Sequence, residues 1–480
     1  MTPMRRLTAL AIALLATLVI APVAGASNPL TAFTLVVPKA TAASGLQARA
    51  ILPTGARCPA LSVTTEVDGA RADRLIAMTA RRAAPSTGTA FASIFVCQAA
   101  IPAGAVEASV GATTIPAALP ATIKRVALLG DTGCRLKKGD PTQACSSASK
   151  WPIARVAASI ERANPDVIMH IGDYFYREAA CPSDMLARCG GSPAPVPGNS
   201  YKDTDYGWVA DAIIPLSPLF AVAPIVMTRG NHEACFRGGN GWYLFFDPWA
   251  GSAQHCAPNA QGEVPDAVSK TWTADLPLGG MRTLHIAVVD SAYGYDAEIS
   301  SWKDREAPLY KAAALESKAQ PGRESWLITH RPLFGIQQWV PDNGGAPYNT
   351  WIAADQTAAA LPNLDPFSLI LGSHIHVAQA NQIPGMPGQL VIGNSGTQLE
   401  PSDDFSLPAY GPLRSQETGA AMVPGMKLPG NATFTWSALR FGFVIATPGA
   451  EAGQWSFSQR STNGVEFARC ALAKRQIHCR

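Results

Sequence analysis

Short apolar runs that each stop at a polar cluster constrain this chain more than any other feature. Val126–Leu129, Val167–Ile171, Pro224–Met227, Leu284–Val289, Trp326–Ile328, Phe367–Leu371 and Leu390–Ile392 are continuous rather than alternating. Successive side chains of a strand point to opposite faces of its sheet, so a run that is apolar throughout is covered on both faces. Between the first two runs, Ile153, Val156, Ala157 and Ile160 recur at helical spacing. The expectation is an α/β fold of layered β-sheets flanked by helices. Nothing repeats at a fixed period, which argues against a solenoid.

Five of these runs lead into polar motifs. Gly130-Asp131-Thr132-Gly133 follows the first and Gly172-Asp173-Tyr174-Phe175-Tyr176 the second. Gly230-Asn231-His232-Glu233 follows the third, His330 closes Leu327-Ile328-Thr329, and His374-Ile375-His376 ends the run from Phe367. Sites in open α/β sheets form beyond the carboxyl ends of strands, so these motifs are expected to converge. Their chemistry is that of a metal centre. Carboxylates and an amide oxygen suit hard cations, imidazoles suit iron, zinc or manganese, and a phenolate suits ferric iron. One carboxylate can bridge two ions, and two ions ~3.5–4 Å apart can clamp the attacking and leaving oxygens of an in-line displacement.

The first 120 residues read differently. Arg5-Arg6, the uncharged run Leu7–Ile20 and the small residues Ala24-Gly25-Ala26 make residues 1–26 an expected secretory signal peptide, with Ser27 as the mature start. The competing reading is an uncleaved anchor, and adjacent arginines are weak evidence for the twin-arginine route. No later run is long enough to span a bilayer. Residues 27–120 are rich in Ala, Thr, Val and Pro, with short strand-like runs at Phe33–Val37 and Ala92–Val96, and are expected to form a small β-sandwich. Pro116–Pro120 is the expected linker to a second domain over 121–480. The segment from Cys181 to Asp205 reads as a long surface loop, and 402–433 is left unassigned.

Ten cysteines, an even number, agree with export to the periplasm or beyond, and their spacing favours pairing between sequence neighbours. No pair has the C-x2-C spacing of a zinc-thiolate site. Losing Arg5 and Arg6 takes the 38 basic residues to 36, against 35 acidic ones. That near-neutral balance offers no electrostatic footprint for nucleic acid or an anionic membrane.

The set D-x-G, G-D-x2-Y, G-N-H-E, x3-H and H-x-H, in this order over about residues 124–400, resembles the purple acid phosphatase branch of the calcineurin-like metallophosphoesterases. Most of that superfamily resembles D-x-H at the first motif. Here Gly133 takes the place of that His, and Tyr176 stands where the purple branch has its tyrosine ligand, with Tyr174 close by. The resemblance implies a metallophosphoesterase-type fold preceded by a β-sandwich. It implies a ferric ion held by Asp131, Tyr176 and His376, a second ion (iron, zinc or manganese) held by Asn231, His330 and His374, and Asp173 as the bridge. His232 would contact the phosphate and protonate the leaving oxygen. Two departures stand out: Ser373 lies between Gly372 and the first His of the last motif, and Leu327 replaces the usual Val of the fourth.

The implied activity is metal-assisted hydrolysis of a phosphate ester, with phosphomonoesters first. A phosphodiesterase acting on nucleotides or lipid headgroups is the alternative, and a non-catalytic secreted binding protein of the same fold is a third reading. Other polar residues have plainer readings. His170 and His285 are expected in the core, and His255 and His478 at the surface beside cysteines. Asp290 is read as either a support of the site or a loop cap, and Arg229 as either a phosphate ligand or a salt-bridge partner.

Overall fold

The computed structural model describes residues 29–83, 87–139, 141–194, 196–253, 255–296, 299–339, 348–351, 353–400 and 433–480. The expected signal peptide, and all but the last residue of 402–433, lie outside these ranges.

Two large sheets face each other across one core. In the first, strands Val126–Leu129, Val167–His170 and Ile225–Met227 run parallel as neighbours, flanked by Gly442–Pro448 on one side and Thr31–Val36 on the other. In the second, Arg282–Val289, Arg323–Thr329, Leu369–Gly372 and Gly388–Ile392 run parallel. The alternate residues of each strand serve different layers. Val126, Leu128 and Met169 point into the core between the sheets and meet Ile286, Trp326, Leu371 and Ile392 there. Ala127, Leu129, Ile168 and Ile225 face outward, under helices Ile153–Ala163 and Ile214–Phe220. Ala287, Val289, Leu327 and Ile370 face the other way, under Trp302–Glu316 and Ala354–Ala360. Every position of Val126–Leu129, Val167–His170 and Leu369–Gly372 is buried, which is why such runs are nearly continuously apolar.

The N-terminal strands do form a sandwich. Strands Ala70–Ala77, Ala60–Val67, Ala105–Val110 and Thr113–Ile115 make a four-stranded sheet. Its inner residues Leu61, Val63, Ala108 and Val110 pack on Ala48, Ala50 and Leu52 of Leu46–Pro53. The other layer of this sandwich is continuous with the first large sheet, because Thr31–Val36 pairs in parallel with Ile225–Met227 at Leu35 and Ile225.

All ten cysteines are paired, as sequence neighbours: Cys58–Cys97, Cys134–Cys145, Cys181–Cys189, Cys235–Cys256 and Cys470–Cys479. The expected loop from Cys181 carries two short helical turns, Ser183–Met185 and Leu186–Cys189, closed by their own disulfide. No helix among the described residues is long and apolar enough to cross a membrane.

Candidate metal centre

The eight residues singled out in the sequence meet at the carboxyl ends of the parallel strands, in two groups on either side of Asp173. In one group the Tyr176 hydroxyl lies 2.7 Å from Asp131 Oδ1, 2.7 Å from Asp173 Oδ2 and 2.9 Å from His376 Nε2. In the other, Asn231 Oδ1 lies 2.7 Å from His374 Nδ1 and 3.0 Å from His330 Nε2, which is 3.2 Å from Asp173 Oδ2.

The backbone is bent hard to achieve this. Asp131, Asp173 and His374 take positive φ values of 52°, 58° and 71°. Such conformations cost on the order of 1–3 kcal/mol each for a residue with a Cβ, and they persist only where the surroundings hold them. Glu233 is part of that hold. Its carboxylate accepts the backbone N–H groups of Asp173, Tyr174, Phe175 and Gly230 at 2.9–3.1 Å, tying the second motif to the third. Gly230 is required by proximity, since a Cβ there would stand 2.5 Å from the backbone nitrogen of Asp173. Ser373, the departure in the last motif, hydrogen-bonds through Oγ to Asp131 Oδ2, and the His374 N–H donates to the same oxygen at 2.8 Å.

Gly133 explains the exchange at the first motif. A Cβ at that position would lie 2.8 Å from the Tyr176 ring and 2.6 Å from the Tyr174 carbonyl. A histidine at 133 therefore does not fit beside the Tyr174 carbonyl and the Tyr176 ring here. Tyr174 is not part of the cluster: its hydroxyl donates to the Thr228 carbonyl at 2.9 Å.

The donor set is electronically incomplete in a way that fits cations. His330 Nδ1 faces the Ile171 carbonyl at 2.8 Å and His376 Nδ1 the Gln398 carbonyl at 2.7 Å. His374 Nε2 faces Asp296 Oδ2 at 3.1 Å. A ring nitrogen against a carbonyl or carboxylate carries the proton, so the opposite nitrogen of each neutral ring aims a lone pair into the cluster. Those lone pairs meet oxygen lone pairs, and the single proton of Tyr176 cannot satisfy three acceptors. The carboxylates gather enough negative charge to attract a proton: Asp173 outweighs the cost of burial and pushes His330 up to about 9. A proton and a cation compete for that same nitrogen. Asp173, His330 and His374 present ligand atoms all within 4.8 Å of one another.

His232 stands at the edge. Its ring packs on Tyr176 with centroids 3.6 Å apart, its Nδ1 lies 2.8 Å from Glu178 Oε1, and its Nε2 lies 3.9 Å from Asp173 Oδ2. Burial, and then the Arg237 charge, lower its pKa to about 4. Arg237 also pairs with Glu178 at 2.5 Å. Arg331 pairs with Asp296 and lies 3.2 Å from His374 Nε2. Sequence reasoning did not find Glu178, Arg237, Asp296 or Arg331. The first two were within reach, standing two residues beyond Tyr176 and five beyond His232. Asp296 lies in an irregular loop with no motif around it.

The plainer readings resolve. His170 is buried against Thr132 Oγ1 at 2.9 Å, and burial lowers it to about 3. His285 is buried and pairs with Asp275; His255 and His478 are exposed. Arg229 forms a buried salt bridge with Asp290 at 3.0 Å, and Asp290 also caps Ser269 and Ala292.

With this geometry in view, comparison with known proteins identifies the class. Residues 124–378 match the calcineurin-like phosphoesterase family, more than half of the chain, and the protein belongs to that family. It is a phosphoester hydrolase whose fold implies metal ions. No curated protein matches the sequence. Among solved structures, PhoD is similar with a TM-score of 0.52 at 12% identity, over 94% of this chain and 92% of that one. The purple acid phosphatase PPD1 from yellow lupin (Lupinus luteus) seeds is similar with a TM-score of 0.50 at 13% identity, over 92% and 73%. At such identities the likeness is one of fold.

Proposed function

We propose that the chain is an exported acid phosphomonoesterase of the purple acid phosphatase type, with two metal ions. The observation that carries this reading is the position of Asp173, whose Oδ2 faces Tyr176 on one side and His330 on the other. Asp131, Tyr176 and His376 would hold one ion, Asn231, His330 and His374 the other, with Asp173 shared. Bound there, the ions would acidify a water and neutralise charge on the phosphoryl oxygens.

The first ion is taken as ferric because of the phenol. Burial, and then Asp131 and Asp173, hold the Tyr176 hydroxyl well above its ordinary range. A highly charged partner is needed to make it a phenolate. The second group suits iron, zinc or manganese. His232 donates the proton to the leaving oxygen; Glu178 Oε1 lies 2.8 Å from its Nδ1 and Arg237 Nη2 2.8 Å from its Nε2, which position the ring. Arg237 and Arg331 supply positive charge for a phosphate. Five disulfides support export, since such bonds persist in oxidising compartments.

The test pairs metal analysis with hydrolysis of p-nitrophenyl phosphate and bis-p-nitrophenyl phosphate at acidic pH. Two ions per chain and faster monoester turnover are expected. Hydrolysis of the diester alone would replace the reading by a phosphodiesterase, and neither hydrolysis nor metal would leave a binding protein.

A further inference from the structure

The second donor group opens into a cavity of about 380 Å3, lined in part by Asn231, Phe236, Arg237, Tyr293, Tyr295 and Arg331. Asn231 belongs to both the cluster and the cavity wall, so the cavity begins at the reacting centre. Its volume falls in the range that accepts a small organic ligand. Two guanidiniums stand at its mouth, Arg237 against His232 and Arg331 against His374, each also paired with one carboxylate, and Asp266 lines the wall.

Farther out the wall is aromatic. Phe236 is 69% exposed and Tyr295 52% exposed. Large exposed rings clustered beside a reactive centre mark a binding surface, whereas rings scattered singly need no explanation. The backbone that carries these rings is anchored, and Phe236 lies 6.2 Å from the Tyr293 ring, centroid to centroid. Phe236 follows Cys235 of the Cys235–Cys256 disulfide, and the Cys235 N–H donates to the Tyr293 hydroxyl at 3.0 Å. Tyr293 stacks on Trp302 with centroids 5.1 Å apart and planes 4° apart, and Arg305 lies over Trp302 at 4.0 Å. The Tyr295 N–H donates to Asp355 Oδ2 at 2.7 Å. A backbone anchored in advance leaves only the side chains to order when a ligand arrives.

We propose that the natural substrate is a phosphomonoester whose leaving group carries a planar ring, as a nucleoside 5′-monophosphate does. The ring docks against Phe236 and Tyr295, and the phosphate lies toward Arg237 and Arg331. This rests on the phosphomonoesterase reading above. An aliphatic phosphate makes the same charged contacts and leaves the aromatic wall bare.

Adenosine 5′-monophosphate and glycerol 3-phosphate both release an alcohol from an alkyl carbon, so the ring is the difference that the cavity reads. The metal-loaded protein is expected to favour the nucleotide in kcat/KM by about fivefold or more, the lower end of what one stacked base contributes. Phe236→Ala and Tyr295→Ala should each erode that ratio through KM. The ratio does not depend on how much of a variant is folded. A second readout is calorimetric binding of adenosine, which needs no phosphate and no metal, and which Phe236→Ala should weaken to a similar degree. If both esters are hydrolysed and the ratio is near one, or is unmoved by both variants, this inference is overturned and the phosphomonoesterase reading stands. If neither ester is hydrolysed, that reading falls; adenosine binding sensitive to Phe236 then still upholds the ring pocket, and absence of binding removes it.

Discussion

The two donor groups on either side of Asp173 are built from the same kinds of atoms but differ in their access to solvent. Around Tyr176 the chain is closed: Asp131 has no exposed surface and Tyr176 has 1%. Around Asn231 it is more open at its outer edge, with Asn231 9% exposed on the cavity wall and the His374 side chain 14% exposed, while His330 behind them is fully buried. The closed side is braced from within the fold. Asp131 receives Ser373 Oγ and the His374 N–H, and the Asp211 carboxylate holds the backbone nitrogens of Cys134 at 2.8 Å and Tyr176 at 2.7 Å. On the open side His374 is braced by Asp296, a residue of an irregular loop. A closed group suits an ion that stays, and an open group suits an ion that meets substrate. Dialysis against a chelator should therefore remove metal in two stages, the open side first. Loss of both ions in one step would break the comparison.

Asp173 is the element common to both sides, so Asp173→Asn should have the largest effect. With each ion contributing several kcal/mol of charge stabilisation, turnover should fall on the order of 10⁴-fold or more, and metal analysis should show both sides depleted. His232→Ala comes next, at ~10²–10⁴-fold in turnover with metal content unchanged, because its ring packs on Tyr176 at the edge of the cluster and belongs to neither group. Loss of metal in that variant would show that His232 is a ligand. Asp296→Asn tests the open side alone. Removing a carboxylate behind a ligating imidazole typically costs ~10–100-fold in metal affinity or activity. Titration should show one ion weakened and the other retained; equal weakening of both would mean that the two sides are not separately braced.

Much of this arrangement was legible in the sequence, and what was not has a physical reason. The runs at Val126–Leu129 and Val167–Ile171 are strands because both faces are covered, and continuous apolarity records that directly. Their polar ends carry motifs in chain order, so the eight residues that the fold brings together could be named from the sequence. The pairing of Leu35 with Ile225, which joins the N-terminal sandwich to the large sheet, left no local signal. It depends on two distant edges meeting, and periodicity within either segment is blind to that. The same holds for Asp296 and Tyr293, which reach the cluster and its cavity only through loop packing. Gly133 lies between these cases. The sequence shows the missing histidine and the added tyrosine as two facts, and the contact between position 133 and the Tyr176 ring makes them one.

That contact leads to the smallest expected effect on turnover and the sharpest test of the closed side. Tyr176→Phe removes one oxygen and leaves Asp131, Asp173 and His376 in place, so activity should fall less than in any variant above. The spectrum should change completely. A phenolate bound to ferric iron absorbs visible light by transferring charge from ligand to metal, so the oxidised, iron-loaded protein should be coloured and the variant colourless. Tyr174→Phe should keep the colour, because the Tyr174 hydroxyl is bonded to the Thr228 carbonyl and faces away from the cluster. A colourless parent protein with full iron content, or a band that survives in Tyr176→Phe, would remove the ferric assignment. The grouping of Asp173 with His330 and His374 would remain, since their ligand atoms lie within 4.8 Å of one another without the phenol.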